Sequence, residues 1–343
     1  MSDKDNFKMR SKGNGVYDDV EYKYQYSSGS QYSPATLKIT IECAAEGSLK
    51  LAKQTAFDVF WEKMGLSREI KTGDKEFDDL FYITTDDDNF TAAYLGSKEK
   101  REAATEIFNS GFREITLKRK FIEAKQVKPK KKKEITESMI EGIVKQLIIL
   151  SKDIPDVVPE VNVETGWKTK RAAAFIIPTL LGLTGVVAMI AGLMKFEPLD
   201  TGFLLLDSLK YSVPAQAVFL WQTIWMIKGR SSSHHEFTAI FFISLFSFFL
   251  AGFGGELFLN GYLDESISTS YSTIVVSKKT ETNKNNTDYK VKVESWREGK
   301  EYEKIETSKK IYESVNPHES TLNIRTKPGR FGYEWIVDYY INE

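Results

Sequence analysis

The chain has a single cysteine, Cys43, and three histidines in 343 residues. One thiol excludes an intramolecular disulfide and a thiolate metal cluster, so any folded part has to be held by its apolar core. The motifs that carry common chemistries are also missing: there is no glycine-rich phosphate loop, no His-Glu-x-x-His and no Gly-x-Ser-x-Gly. His234 and His235 are neighbours, His318 stands alone beside Pro317, and Cys43 sits in a predicted strand, so no Cys/His dyad can be assigned. No catalytic residue, cofactor or metal follows from such an inventory. Charge of one sign is lacking too. With 47 Lys and Arg against 48 Asp and Glu the net charge is −1, which argues against nucleic acid as a partner. The first 35 residues hold no apolar run, so no secretory signal peptide is expected there.

What is present is a block of three long apolar segments, residues 172–194, 203–227 and 237–259, between two polar flanks of unequal size. About 20 mostly apolar residues suffice to carry a helix across hydrocarbon. The first and third segments meet this with only Glu256 charged, whereas the second does so only by including Asp207 and Lys210. The expected fold is an integral membrane protein: a three-helix transmembrane bundle, a cytoplasmic α+β domain and a C-terminal all-β sandwich or barrel outside.

Orientation follows from basic residues near the helix ends, because short basic loops stay cytoplasmic. Lys168, Lys170 and Arg171 precede the first segment, and Lys228 and Arg230 separate the second from the third. The opposite side offers only Lys195 before Lys278. The amino end is therefore expected inside and the carboxyl end, residues 263–343, outside. Trp167, Trp221, Trp225 and Tyr262 fall where interfacial aromatic belts form.

Within the cytoplasmic part, residues 1–35 are too polar to offset the entropy of ordering and are expected as a disordered tail. Residues 36–152 form the α+β domain. Leu37, Ile39 and Ile41 alternate as in a half-buried strand, residues 49–64 carry an apolar helical face, and residues 78–83 form a strand. Residues 98–108 form a helix, 113–122 one or two strands, and 135–150 an amphipathic helix. Asp86, Asp87 and Asp88 do not start a calcium loop, because Thr91 and Ser97 stand where glycine and glutamate are needed; they are expected to cap a helix. Residues 153–171, with Pro155 and Pro159, are a linker.

Lys118, Arg119, Lys120, Lys125, Lys128, Lys130, Lys131, Lys132 and Lys133 form the strongest local charge bias in the chain. Such a cluster is a solvated hairpin tip, a contact for anionic lipid headgroups or a site for another polyanion, each cation contributing about 1 kcal/mol near an anionic leaflet. Lys128 and Lys130 to Lys133 are the candidate lipid contacts.

The run from Thr72 to Phe81 (Thr-Gly-Asp-Lys-Glu-Phe-Asp-Asp-Leu-Phe), with Ile83 and Asp86 to Asp88, resembles a cytoplasmic module of uncharacterised bacterial inner-membrane proteins. The stretches Tyr312 to Pro317 and Lys327 to Gly332, with Trp335, are similar to the outer β module that ends some of them. The resemblance implies a multi-pass inner-membrane location and no catalytic residues.

Small residues four apart mark helix contacts in lipid. They appear as Thr184, Ala188 and Gly192, and as Ser247, Ala251 and Gly255; Ser208, Ser212 and Gln216 line the second segment, with Pro214 as a kink. Asp207, Lys210, Gln216 and Glu256 are the candidate intramembrane polar site. In the outer part, short alternating runs separated by Asn285-Asn286, Glu298-Gly299 and Pro328-Gly329 read as about six strands, with Trp296 and Trp335 in the core. The expected function is a non-enzymatic scaffold, assembly factor or signal relay in contact with the lipid bilayer, with a protein partner or a homo-oligomer. The alternatives are a transport or channel subunit using the polar site, and an enzyme with an acidic cleft in residues 37–150.

Overall fold

The computed structural model describes residues 11–68, 70–85, 87–129, 131–156, 161–283 and 286–341. The chain divides into two units, Met1–Arg171 with Thr223–Thr238, and Ala172–Gln222 with Ala239–Glu343.

In the first unit, seven strands make one antiparallel sheet. They are β1 (Lys12–Tyr17), β2 (Val20–Ser27), β3 (Thr36–Glu42), β4 (Leu49–Lys53), β5 (Phe81–Thr85), β6 (Glu114–Lys118) and β7 (Phe121–Val127), in the order β1-β2-β3-β7-β6-β4-β5. Helices α1 (Ala56–Lys63), α2 (Lys75–Leu80), α3 (Asp88–Leu95), α4 (Lys98–Asn109) and α5 (Glu137–Ser151) complete it. The alternation in β3 and β7 turns Leu37, Ile39, Ile41, Ile122 and Ala124 to one core, which Ile140, Ile143, Val144 and Leu147 of α5 help to close. Asp87 caps α3 by accepting from the Phe90 N–H at 3.0 Å, as expected; Asp86 lies outside the described residues.

Three expectations need correcting here. Residues 12–27 are a hairpin rather than part of a disordered tail; residues 1–10 lie outside the described residues. Asp18 and Asp19, with φ of 50° and 62°, form a two-residue turn whose twist suits a hairpin. The core-facing residues of β2 are tyrosines, and Tyr22 and Tyr24 are buried. Their rings lie over Gly15 and Gly13, where an added Cβ would come within 2.4 and 2.3 Å of the two hydroxyls. Glycine is present in β1 because the rings occupy the space of a side chain. Residues 49–64 are not one helix. Leu49 and Leu51 face the core from β4, and α1 starts only after its cap Thr55. Residues 78–80 close α2 before β5 begins, because Asp74 caps that helix by accepting from the Phe77 N–H at 3.3 Å.

Three long helices follow: α6 (Val161–Lys195), α7 (Thr201–Ile227) and α8 (Ser233–Tyr262). The α6 helix takes in residues 161–171, so the expected linker 153–171 is helical over that part. Among the described residues, two stretches are long and apolar enough to cross a membrane, Gly166–Lys195 and Ser233–Tyr262. The 27 residues of α7 are long enough, but Asp207, Lys210, Gln216 and Gln222 dilute its apolar character.

In the second unit the contact between α6 and α8 includes Gly192, Ser247 and Ala251 of the expected stripes and adds Gly182, Gly185 and Gly254. A Cβ on Gly185 would lie 2.5 Å from the backbone of Ala251, and one on Gly254 would lie 2.1 Å from the Gly185 carbonyl. Gly182 meets Ser247, and Gly192 meets Leu257. The two backbones touch through glycines, while Thr184 and Gly255 are not in this contact. The stripe on α7 is where it was expected: Ser208, Ser212 and Gln216 are buried, Gly252 packs on Ser212, and Gln216 Nε2 donates to Ser244 Oγ at 3.4 Å.

The rest of this unit is rich in sheet. The strands are β8 (Glu197–Pro198), β9 (Thr269–Asn283), β10 (Asn286–Glu294), β11 (Tyr302–Thr307), β12 (Thr321–Lys327) and β13 (Trp335–Ile341). They form one sheet in the order β11-β10-β9-β12-β13-β8, with a short helix, α9 (Lys309–Ser314). β9 is long enough to pair with β10 over one part and with β12 over the other, which links all six strands. Val275, Val291, Val293, Ile305, Val315, Leu322, Ile324 and Ile336 form its core. Trp335 is buried edge-on to Phe196 with ring centres 5.1 Å apart, and Trp296 stacks on Tyr271 at 5.2 Å.

Candidate functional site

The most closely built polar site of the first unit joins α1 to the turn between α7 and α8. Thr55 and Asp58 form a capping box at the start of α1: both the backbone N–H and the hydroxyl of Thr55 donate to Asp58 Oδ2 at 2.7 Å. This fixes the carboxylate and leaves Oδ1 for His234 Nε2 at 3.0 Å. His234 is fully enclosed and Asp58 is 5% exposed. Tyr82 stands edge-on to the imidazole at 5.0 Å, and its hydroxyl donates to the Ser231 carbonyl at 2.7 Å. Thr85 N–H donates to Ser231 Oγ at 2.9 Å, and the Gly229 N–H donates to the Leu66 carbonyl at 3.0 Å. The residues 229–234 are thus held by buried bonds, which are worth more than exposed ones because a lost partner leaves the other group unsolvated.

Asp58, His234 and His235 each offer one ligand atom within 4.8 Å of the others, and His235 is exposed. Two imidazoles and a carboxylate suit a first-row divalent ion such as zinc. A ligating histidine normally donates its second ring nitrogen to an acceptor. His234 Nδ1 has no such partner among the described residues. The arrangement accounts better for a His–Asp hydrogen bond than for a metal centre.

In the second unit the structure assembles three of the four residues expected in the membrane. Asp207 is paired with Lys210 on α7, and its carboxyl is hydrogen-bonded to Glu256 of α8. Tyr333, from the loop between β12 and β13, also bonds to Asp207. Gln216 is not part of this group but bonds to Ser244 further along the helices. An ionised carboxylate has no proton to donate, so the Asp207–Glu256 bond requires one proton on the pair. Burial, then the Asp207 charge, pushes the Tyr333 hydroxyl up to about 12.

That loop is held from the end of α8. Asn260 Nδ2 donates to the Tyr333 carbonyl at 2.7 Å, and its Oδ1 accepts from the Phe331 N–H at 3.0 Å. Asp264 Oδ2 accepts from the Gly329 N–H and from Trp335 Nε1, each at 2.9 Å. At the other edge, Arg297 forks onto Glu303 at 2.8 and 2.7 Å and also contacts Asp200, which Lys300 reaches at 2.5 Å.

Lys128 and Lys131 are exposed, whereas Lys132 donates to Ser11 Oγ at 3.1 Å; Lys130 and the side chain of Lys133 lie outside the described residues. Arg119 and Lys120 line an open groove of about 640 Å³ with Glu21, Lys23, Glu42 and Cys43. In it Lys23 is paired with Glu42 at 2.8 Å, so this cleft has mixed charge rather than the convergent carboxylates a hydrolytic site needs.

The Asp58–His234 contact was out of reach of sequence reasoning, because 176 positions separate the partners. The local signals were the Thr-x-x-Asp of the capping box and a histidine pair after a serine-rich turn.

No family model, no curated protein and no solved structure matches this chain.

Proposed function

We propose that this is a multi-pass membrane protein without catalytic activity that couples an N-terminal α+β domain to a C-terminal β domain, as a scaffold, assembly factor or signal relay. The observation that supports it is that each unit incorporates one turn of the helical segment. The first unit holds residues 229–234 through Asp58, Tyr82, Thr85 and Leu66, and the second takes residues 197–198 into its sheet as β8. Helices crossing in succession place consecutive turns on opposite membrane faces, so each domain would then read one face. Lys168, Lys170, Arg171, Lys228 and Arg230 all belong to the first unit, which favours that unit as the cytoplasmic one. The bacterial inner membrane as its location rests on the resemblance of residues 72–88, 312–317 and 327–335. The test is purification in mild detergent with cross-linking. A stoichiometric partner or homo-oligomer that is lost on His234→Ala supports the reading, and a lone monomer overturns it.

A second reading, a proton-coupled transport subunit, draws on the Asp207–Glu256 pair. Intramembrane carboxyls that hold a proton are costly and often line ion paths. Replacing Asp207 and Lys210 together by leucine decides it: unchanged ion flux in a folded protein removes the idea.

A further inference from the structure

The α1 helix is inside out for a helix on a water-soluble domain. Its buried residue is Asp58, while Phe57 and Phe60 are 46% and 51% exposed, and Met64, just past its end, is 65% exposed. Three large apolar side chains on one short element form a patch that water does not favour. The neighbours of α1 indicate what covers it. Trp61 lies edge-on to Phe237 at 5.2 Å, and Phe237 opens the apolar run of α8. Directly after α1, Leu66 and Arg68 bond to Gly229 and Arg230 in the turn. This turn carries the cation–aromatic pairs that typify a headgroup region: Lys228 lies 3.7 Å over the Trp225 ring and Arg230 lies 4.6 Å over the Trp167 ring.

We propose that α1 lies in the bilayer surface as an interfacial helix, with Phe57, Phe60 and Met64 inserted at the boundary between headgroups and acyl chains beside the start of α8. The capping box and the bond to His234 keep the polar side of α1, Asp58, turned into the protein, which presents the aromatic side outward. Cationic residues around the patch match the anionic headgroups they would meet. The inference rests on the reading of α8 as a membrane span.

The experiment uses the full chain with Cys43→Ser, reconstituted in vesicles of phosphatidylcholine and phosphatidylglycerol, with an environment-sensitive fluorophore on Phe60→Cys or Met64→Cys. Reporters on Leu245→Cys, in the apolar run of α8, and Lys98→Cys, on α4, serve as controls. An interfacial helix inserts about 5–10 Å, so lipids brominated high in the acyl chain should quench the Phe60 and Met64 reporters about twofold and leave Lys98 unchanged. Quenching at Leu245 without quenching at either α1 position overturns the proposal and leaves the span intact. No quenching at Leu245 removes the span reading on which it rests. Cross-linking between Met64→Cys copies with no response to brominated lipid would assign the patch to a second copy of the chain and also overturn the proposal.

Discussion

The two units grip their helix turns by different physical means. The first uses side chains: a carboxylate, an imidazole, a tyrosine and a serine, all buried and all specific. The second uses backbone: β8 adds a short strand to β13, Leu199 N–H donates to the Glu334 carbonyl at 2.9 Å, and charges gather around this strand pair at Asp200 and Arg297. A backbone ladder tolerates changes in side chain, whereas a buried side-chain bond fails when either partner is removed. The first grip is therefore open to tuning by single residues, and the second is suited to permanence.

The largest effect should come from Asp58→Ala, which removes the reciprocal half of the capping box and the acceptor of an enclosed histidine. A loss of about 3 kcal/mol in a denaturant titration of the first unit is expected. Adding His234→Phe should cost less than the sum of the two single changes; strict additivity would break the claim that they act as a pair. Next, Arg297→Lys should cost the second unit about 2 kcal/mol in thermal melting, because lysine cannot reproduce the fork onto Glu303. Ser231→Ala, which removes both bonds to Thr85, should cost about 1 kcal/mol. Glu197→Gln in β8 should stay within about 0.5 kcal/mol, since that strand is held through its backbone.

Acid offers an independent comparison. Burial alone would raise the Asp200 carboxyl, but the bonds from Lys300 and Arg297 hold it below the usual carboxylate range. Asp264 is likewise held low: burial opposes the bonds from Ser266, Trp335 and Gly329 and is outweighed by them. A carboxylate with a lowered folded pKa contributes stability that is complete above its unfolded value, about 3.9, and is lost as pH falls through the folded one. The β sheet of the second unit should therefore melt at lower temperature below about pH 4, and Asp200→Asn should flatten that dependence.

Periodicity revealed the elements whose apolar residues are aliphatic and regularly spaced: β3, α5, the apolar stretches of α6 and α8, and the strands of the second unit's sheet. It missed the β1–β2 hairpin because the core face of β2 is made of tyrosines among glutamate, lysine and glutamine, a composition that also describes a solvated tail. It ran β4 and α1 together because Leu49, Ala52, Ala56 and Phe60 satisfy a helical stripe, and only the Thr55 cap shows where one ends. Spacing found Gly192, Ser247 and Ala251 of the α6–α8 contact but not Gly182 and Gly185, because it identifies a stripe but not its partner. Of the polar site, Asp207, Lys210 and Glu256 were legible as charges in an apolar block; Tyr333 was not, since a loop residue brought in by tertiary structure leaves no local sign.

Gly13 and Gly15 have one more consequence. They stand directly opposite Tyr24 and Tyr22 across the hairpin. If β1 slipped by a single position, Asn14 or Val16 would come beneath a ring that has no room for a side chain. The edge strand of the seven-stranded sheet thus carries its own alignment key, written as two missing side chains rather than as an apolar face, and it can find its place without a buried surface to guide it.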